Sequence, residues 1–161
     1  MEYDDFFRAE QPKMVALALA LTGVPEAARD LAQESMVKAY RAWPSVQEMD
    51  RPGAWLRRVT INASMSWHRS HRRETAAIAR MGGEGTTVHP EREGQRFWAA
   101  VRALPDRQRA VVALYYLEDQ SVAATAAALE MPEGTVKTNL RMARAALALA
   151  LGVSDDEKGS E

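Results

Sequence analysis

Residues 121–147 read SVAATAAALEMPEGTVKTNLRMARAAL, two short helical patterns separated by a tight turn. Val122, Ala126 and Leu129 stand at i, i+4 and i+7, the spacing of one helix face. Ser121 precedes them as an N-cap, its hydroxyl able to accept from an orphan backbone N–H. Pro132 suits the first position of a second helix, where its missing N–H costs nothing. In that helix Val136, Leu140, Ala143 and Leu147 form an inward stripe, while Lys137, Arg141 and Arg144 recur at i, i+4 and i+7 on another face. A buried side and a cationic side after a short turn are what a helix needs to lie in a DNA major groove. A helical hairpin with a merely solvated basic face has the same pattern, so spacing alone leaves both readings open. The turn requires a residue with positive φ, normally glycine, and Glu130 occupies it.

Outward from this hairpin the chain reads as helix nearly throughout. Alanine is abundant and apolar residues do not alternate with polar ones for long. Helices are expected over 3–21, 25–42, 52–73, 95–103, 105–117, 122–129 and 132–150, with Thr22-Gly23 ending the first. Residues 43–50, containing Pro44, read as a loop. Residues 81–91, MGGEGTTVHPE, are the best linker candidate. The expected organisation is all-α: a helical domain over 1–76, a flexible linker over 77–94, a helix-turn-helix domain over 95–152 and an acidic tail over 153–161.

With 161 residues, 47% of them hydrophobic, the chain can bury a core. It has no cysteine, which removes disulfides, thiolate catalysis and cysteine-ligated zinc, and agrees with a reducing interior. The N-terminus, MEYDD, is acidic and unlike a secretory signal. The apolar run 14–21 is far short of the about 20 residues that span a bilayer. A cytoplasmic protein without membrane insertion is expected. The formal net charge is −1, but its distribution is uneven: six arginines (51, 57, 58, 69, 72, 73) and no acid lie between Arg51 and Arg73, while the tail is acidic.

Two constellations stand in the N-terminal half. In residues 29–43, RDLAQESMVKAYRAW, an inward stripe of Ala28, Leu31, Ala32, Met36, Ala39 and Trp43 leaves Asp30, Gln33, Glu34 and Lys38 on the opposite side. By itself that polar side reads as an ordinary solvated face. In residues 51–73, Leu56, Val59, Ala63 and Trp67 form one face, and Arg58, Asn62, Ser66, Arg69 and Arg73 form a polar, cationic ridge. Arg72, Trp55 and Trp67 flank it. Cations that meet phosphates beside aromatics that stack on bases are the ingredients of single-strand recognition. Each tryptophan alone reads better as core.

No catalytic constellation is evident. Gly82-Gly83-Glu84-Gly85 lacks the Gly-Lys-Ser/Thr ending of a phosphate loop. His68 and His71 have no nearby carboxylate and read as auxiliary cations or surface residues rather than zinc ligands. His89 has no role. Neither a cofactor nor a metal is expected.

Taken together, DDFF from Asp4, DLAQESMVKAYRAW from Asp30, RPGAWLRRVTIN from Arg51, ALPDRQRAVVALYYLED from Ala103 and SVAATAAALEMPEGTVK from Ser121 resemble an extracytoplasmic-function (ECF) sigma factor of the sigma-70 superfamily. The resemblance runs from about Asp4 to Leu149, apart from the linker. It implies that Asp30, Gln33 and Glu34, with Lys38, dock on the β′ clamp helices of core RNA polymerase. It implies that Trp55, Arg58, Asn62, Ser66, Trp67, Arg69, Arg72 and Arg73, with the loop 43–53, open the minus-ten element and capture a flipped base. It implies that Glu133, Thr135, Lys137, Thr138, Arg141 and Arg144 face the minus-thirty-five element as duplex. Further implied partners are the polymerase β flap and an anti-sigma factor, and the linker would run near the RNA exit channel. A monomer is expected.

Unstacking a base costs a few kcal/mol, so a pocket that stacks and hydrogen-bonds it can drive opening without ATP. The chain departs from the family pattern at Asn139 and Met142, where arginine is common, at Glu130, and at Ser66, often a larger polar residue. Losing two cations should flatten the salt dependence of DNA binding. The alternative is a stand-alone helix-turn-helix regulator whose N-terminal half senses a ligand or dimerises. Such a regulator binds paired half-sites as a dimer, and no segment here reads as a dimerisation helix.

Overall fold

The computed structural model describes residues 1–82 and 94–153, and every regular element among them is helical. They fall into two compact units, one within 1–91 and the other within 92–161. Most of the expected linker (83–93, with His89) and the tail from residue 154 lie outside the described residues.

The first unit contains α1 (Tyr3–Thr22), α2 (Pro25–Arg41), α3 (Trp43–Val46) and α4 (Pro52–Arg80). Helix α1 stops where expected: Gly23 takes φ 71 and its N–H donates to the Leu19 carbonyl at 2.7 Å. Phe6, Met14, Leu17, Ala18 and Leu21 of α1 are buried, as are Ala28, Leu31, Ala32, Met36 and Ala39 of α2 and Leu56 and Ile61 of α4. The α2 stripe matches its expected register, except that Ser35 joins it and Trp43 is only half-buried. Ser35 tolerates burial because its hydroxyl donates to the Leu31 carbonyl at 2.8 Å. The Tyr3 hydroxyl donates to the Met36 carbonyl at 2.8 Å, tying α1 to α2. Burial, above all, pushes the Tyr3 pKa up.

Four expectations for this unit change. Residues 43–46 form a helical turn, with Pro44 in the first turn where it needs no donor. Helix α4 runs on to Arg80, past Arg73 and past the expected domain boundary at 76, because 74–80 (ETAAIAR) holds neither Gly nor Pro. Its inward face is Leu56, Arg57, Thr60, Ile61, Ser64 and His68; Val59, Ala63 and Trp67 are half-buried at its side. The rotation is allowed because the inward polar groups are satisfied. Thr60 donates to the Leu56 carbonyl at 3.0 Å and Ser64 to the Ile61 carbonyl at 2.7 Å. Finally, His68 is buried, with Nε2 2.6 Å from the Leu21 carbonyl at the end of α1. It is not a surface residue.

The second unit contains α5 (Gln95–Arg102), α6 (Asp106–Val112), a π turn (Ala113–Leu117), α7 (Val122–Leu129) and α8 (Glu133–Leu151). Helix α8 buries Val136, Leu140, Ala143 and Leu147, the stripe read from sequence. Ala143 and Leu147 pack with Val101, Leu104 and Val112, and Val136 and Leu140 pack with Val111 and Ala126. Arg109, 2% exposed, donates to Asp106 Oδ1 at 3.0 Å and to the Leu104 carbonyl at 2.9 Å, locking the α5–α6 corner. Pro105 and Pro132 precede α6 and α8 as N-caps in extended backbone rather than standing at N1.

Ser121 caps α7, accepting from the Ala124 N–H at 3.0 Å. Glu130 holds the turn at φ 54, ψ 46, and Met131 N–H donates to the Ala126 carbonyl at 3.1 Å. A side chain in the left-handed region costs roughly 1–2 kcal/mol, and glycine returns part of that gain as unfolded-state entropy. Glu130→Gly is therefore expected to stabilise the second unit by about 0.5–1 kcal/mol, a rise of roughly 2–8 °C in melting temperature. Thermal unfolding followed by circular dichroism checks this; an unchanged or lower melting temperature contradicts it.

Candidate functional site

On α2, Asp30, Gln33, Glu34 and Lys38 are all exposed, because the 3.6-residue period that buries Leu31, Ser35 and Ala39 turns them outward. Glu34 and Lys38 form an exposed i, i+4 ion pair at 3.6 Å.

On α4, Asn62, Ser66, Arg69, Arg72 and Arg73 are exposed and Arg58 is half-buried, so the ridge lies outside the core. Ser66 Oγ accepts from Arg69 Nη2 at 3.1 Å, linking two ridge members. Trp67 packs beside Ala18, Ala28 and Leu31, and its ring stacks on His71 with centroids 4.7 Å apart and a 10° interplanar angle. Trp55 is half-buried. Trp43 is spent on packing: its ring stands 5.6 Å from Tyr3 and 5.1 Å from Phe6.

An open groove of about 440 Å³ separates α2 from α4. Glu34 and Lys38 line one side, and Asn62, Ser66 and Trp67 line the other. Asp30 shares an adjacent depression with Trp67 and His71. The fold thus brings members of the α2 set and the ridge set to a common cleft, with Trp67 between them. Trp55, Arg58, Arg69, Arg72 and Arg73 are not among its lining residues.

In the second unit Glu133, Lys137, Thr138, Arg141 and Arg144 are exposed and Thr135 is half-buried. Thr138 donates to the Gly134 carbonyl at 3.0 Å, and Asn139 donates to the Thr135 carbonyl at 2.9 Å, so Asn139 is turned onto its own helix. Met142 is 50% exposed. Arg144 Nε donates to the Tyr116 hydroxyl at 2.8 Å, and its guanidinium lies 5.5 Å from the Tyr115 ring centroid. The Tyr116 hydrogen bond, above all, raises the Arg144 pKa beyond its ordinary value. Both tyrosines belong to the π turn, which swings them toward α8.

Sequence reasoning missed three contributors. Tyr115 and Tyr116 orient Arg144, and nothing local in the sequence pairs them with it. Glu10 meets Arg57 at 3.0 Å across α1 and α4, so the acid-free run of arginines has an acid beside it in space. A signal for this existed: Glu10 lies four residues from both Phe6 and Met14, a charge inside a buried stripe. Among the described residues no cluster of His, Asp and Glu is placed to hold a metal ion, and no helix is long and apolar enough to cross a membrane.

Residues 6–74 match the family model for sigma-70 region 2, and residues 94–147 match that for sigma-70 region 4. The RNA polymerase sigma-E factor of Streptomyces avermitilis is 32% identical over 91% of this chain and 83% of its own length. The ECF RNA polymerase sigma factor SigM of Mycobacterium tuberculosis is 30% identical over 93% of this chain and 77% of its own length. Among solved structures, the sigma factor RpoE in its complex with the anti-sigma factor NepR, from Bartonella quintana, matches with a TM-score of 0.74 and 26% identity, covering 94% of this chain and 98% of that one. CnrH, in complex with the cytosolic domain of CnrY, shares the fold with a TM-score of 0.67 at 20% identity over 95% of this chain and 89% of that one. Two helical units with an exposed ridge and a helix-turn-helix, matched by regions 2 and 4 in that order, place the chain among the extracytoplasmic-function sigma factors of the sigma-70 family, subunits that direct RNA polymerase to promoters.

Proposed function

We propose that the two units divide promoter recognition between an unpaired strand and an intact duplex. Residues 1–76 dock on core polymerase through Asp30, Gln33, Glu34 and Lys38. The ridge of Arg58, Asn62, Ser66, Arg69, Arg72 and Arg73, with Trp55 and Trp67, holds the opened minus-ten strand. The observation that carries this is the α2–α4 groove, where exposed carboxylate, amide and hydroxyl groups converge beside the half-buried indole of Trp67. A base seated there could stack on indole and bond to Asn62 or Ser66, which favours the unpaired strand over the paired one.

Residues 95–152 read the minus-thirty-five element through Glu133, Thr135, Lys137, Thr138, Arg141 and Arg144. The helix N-terminal half supplies base-edge groups and its cations meet phosphates. The chain works as a cytoplasmic monomer, without catalysis of its own, and bound at need by an anti-sigma protein; the complex of RpoE with NepR supports that last point.

Run-off transcription with core polymerase and a genomic promoter pool tests the whole. Adding the chain should yield a defined subset of transcripts, while the chain alone should hardly bind duplex DNA. Failure to form a complex with core rejects the proposal. Within it, Arg141→Ala removes one phosphate contact, so the slope of log affinity against log salt for upstream duplex should fall by about 1. An unchanged slope in a holoenzyme salt titration removes Arg141 from the DNA face.

A further inference from the structure

Helix α4 carries every ridge residue, and its N-terminus is where the loop 47–51 joins it. Its N-cap, Arg51, makes no side-chain cap hydrogen bond, and its first turn holds no acid. A helix start of this kind leaves the positive end of its dipole without a local carboxylate. The answer comes from another helix: Glu10 of α1 sets a carboxylate beside it.

The contacts interlock three residues. Arg57 Nη1 donates to Glu10 Oε2 at 3.0 Å and to the Gly53 carbonyl at 3.0 Å. The two side chains are 8% and 16% exposed. Gly53 belongs to the same device: a Cβ there would lie 3.0 Å from Arg57 Nη1 and 3.3 Å from Glu10 Oε1. A side chain at this position would press on the ion pair and make it shift.

The loop entering this clamp is anchored at both ends and open between them. Val46 before it is fully buried, while Gln47, Glu48, Met49, Asp50 and Arg51 are all exposed. Five outward side chains held between two fixed points form a presenting loop, and the clamp at Gly53 lies two residues beyond its end. A buried ion pair seldom stabilises a fold more than apolar residues of equal volume; what it supplies here is one defined geometry. We infer that Glu10, with Arg57 and Gly53, is a positioning device that holds the loop 47–51 against the α4 ridge for base capture. This rests on the strand-capture function proposed above.

The test replaces the pair by apolar residues, Glu10→Leu with Arg57→Leu, in the full chain bound to core polymerase. The probe is forked DNA from the strongest promoter found by run-off transcription, with 2-aminopurine placed in turn at each minus-ten position. The double variant should melt no lower than the parent and bind core within about twofold. It should nevertheless lose about tenfold in forked-DNA affinity and flatten its preference among bases at the captured position. Gly53→Ala, which keeps both charges, should do the same in smaller measure. A double variant with parental affinity and parental base preference overturns the positioning role while leaving strand capture intact. A parental holoenzyme that unstacks no base overturns both.

Discussion

Glu34→Lys is expected to lower affinity for core RNA polymerase by about 30-fold while leaving the fold in place. The side chain is 56% exposed and forms an i, i+4 ion pair with Lys38 at 3.6 Å. Such a pair contributes about 0.3–0.5 kcal/mol, and the repulsion between two lysines that replaces it costs a similar amount. Folding should therefore lose under about 1 kcal/mol. Docking is different, because reversal removes one attraction and installs a repulsion at a surface that must desolvate. An interfacial charge truncated at a well-formed contact costs about 2–5 kcal/mol, and the lower figure corresponds to roughly 30-fold. Competition against the parent for a limiting amount of core, read beside the melting temperature, separates the two effects. Equal competition would mean that the docking face lies elsewhere than on α2.

Leu140→Ala should abolish dependence on the minus-thirty-five element. Leu140 is 3% exposed and packs with Val111, Ala126 and Val136, where α8 meets α6 and α7. Truncation loses transfer free energy and leaves a cavity, together about 3 kcal/mol. A unit covering 94–153 has a total stability of about 3–9 kcal/mol, so the loss removes a third or more of it. Leu140→Met, of similar volume, should cost under about 1.5 kcal/mol. Limited proteolysis should cut residues 94–153 faster in the alanine variant and leave the first unit as resistant as before. Footprinting of the holoenzyme should lose protection upstream and keep it at the minus-ten element. Upstream protection that persists would show that the helix-turn-helix does not depend on this core.

Where sequence and structure agree, the reason is local. The stripe Val136–Leu140–Ala143–Leu147, the Ser121 cap, the Gly23 stop and the left-handed Glu130 each follow from contacts within a few residues. Periodicity therefore placed Lys137 and Arg141 outside the core, and Asp30, Gln33 and Glu34 likewise. Helix α4 was harder. Its apolar residues suggested a face centred on Val59, Ala63 and Trp67, yet the buried face holds Arg57, Thr60, Ser64 and His68. Polarity misled because each of these groups finds a partner inside: Thr60 and Ser64 on their own helix, Arg57 and His68 across 47 residues, a distance that spacing does not reveal.

The sequence by itself determined an all-helical fold, the register of α2 and α8, the family, and which polar and charged residues of those helices stand outside the core, since these depend on periodicity and on short motifs in order. Only the tertiary structure decided that Glu10 answers Arg57 across 47 residues, that His68 is turned inward onto α1, that Tyr116 holds Arg144, and that α2 and α4 share one cleft. Each of these is a pairing between helices, and a pairing's free energy depends on distance and on exclusion of water, which exist only once the helices have packed.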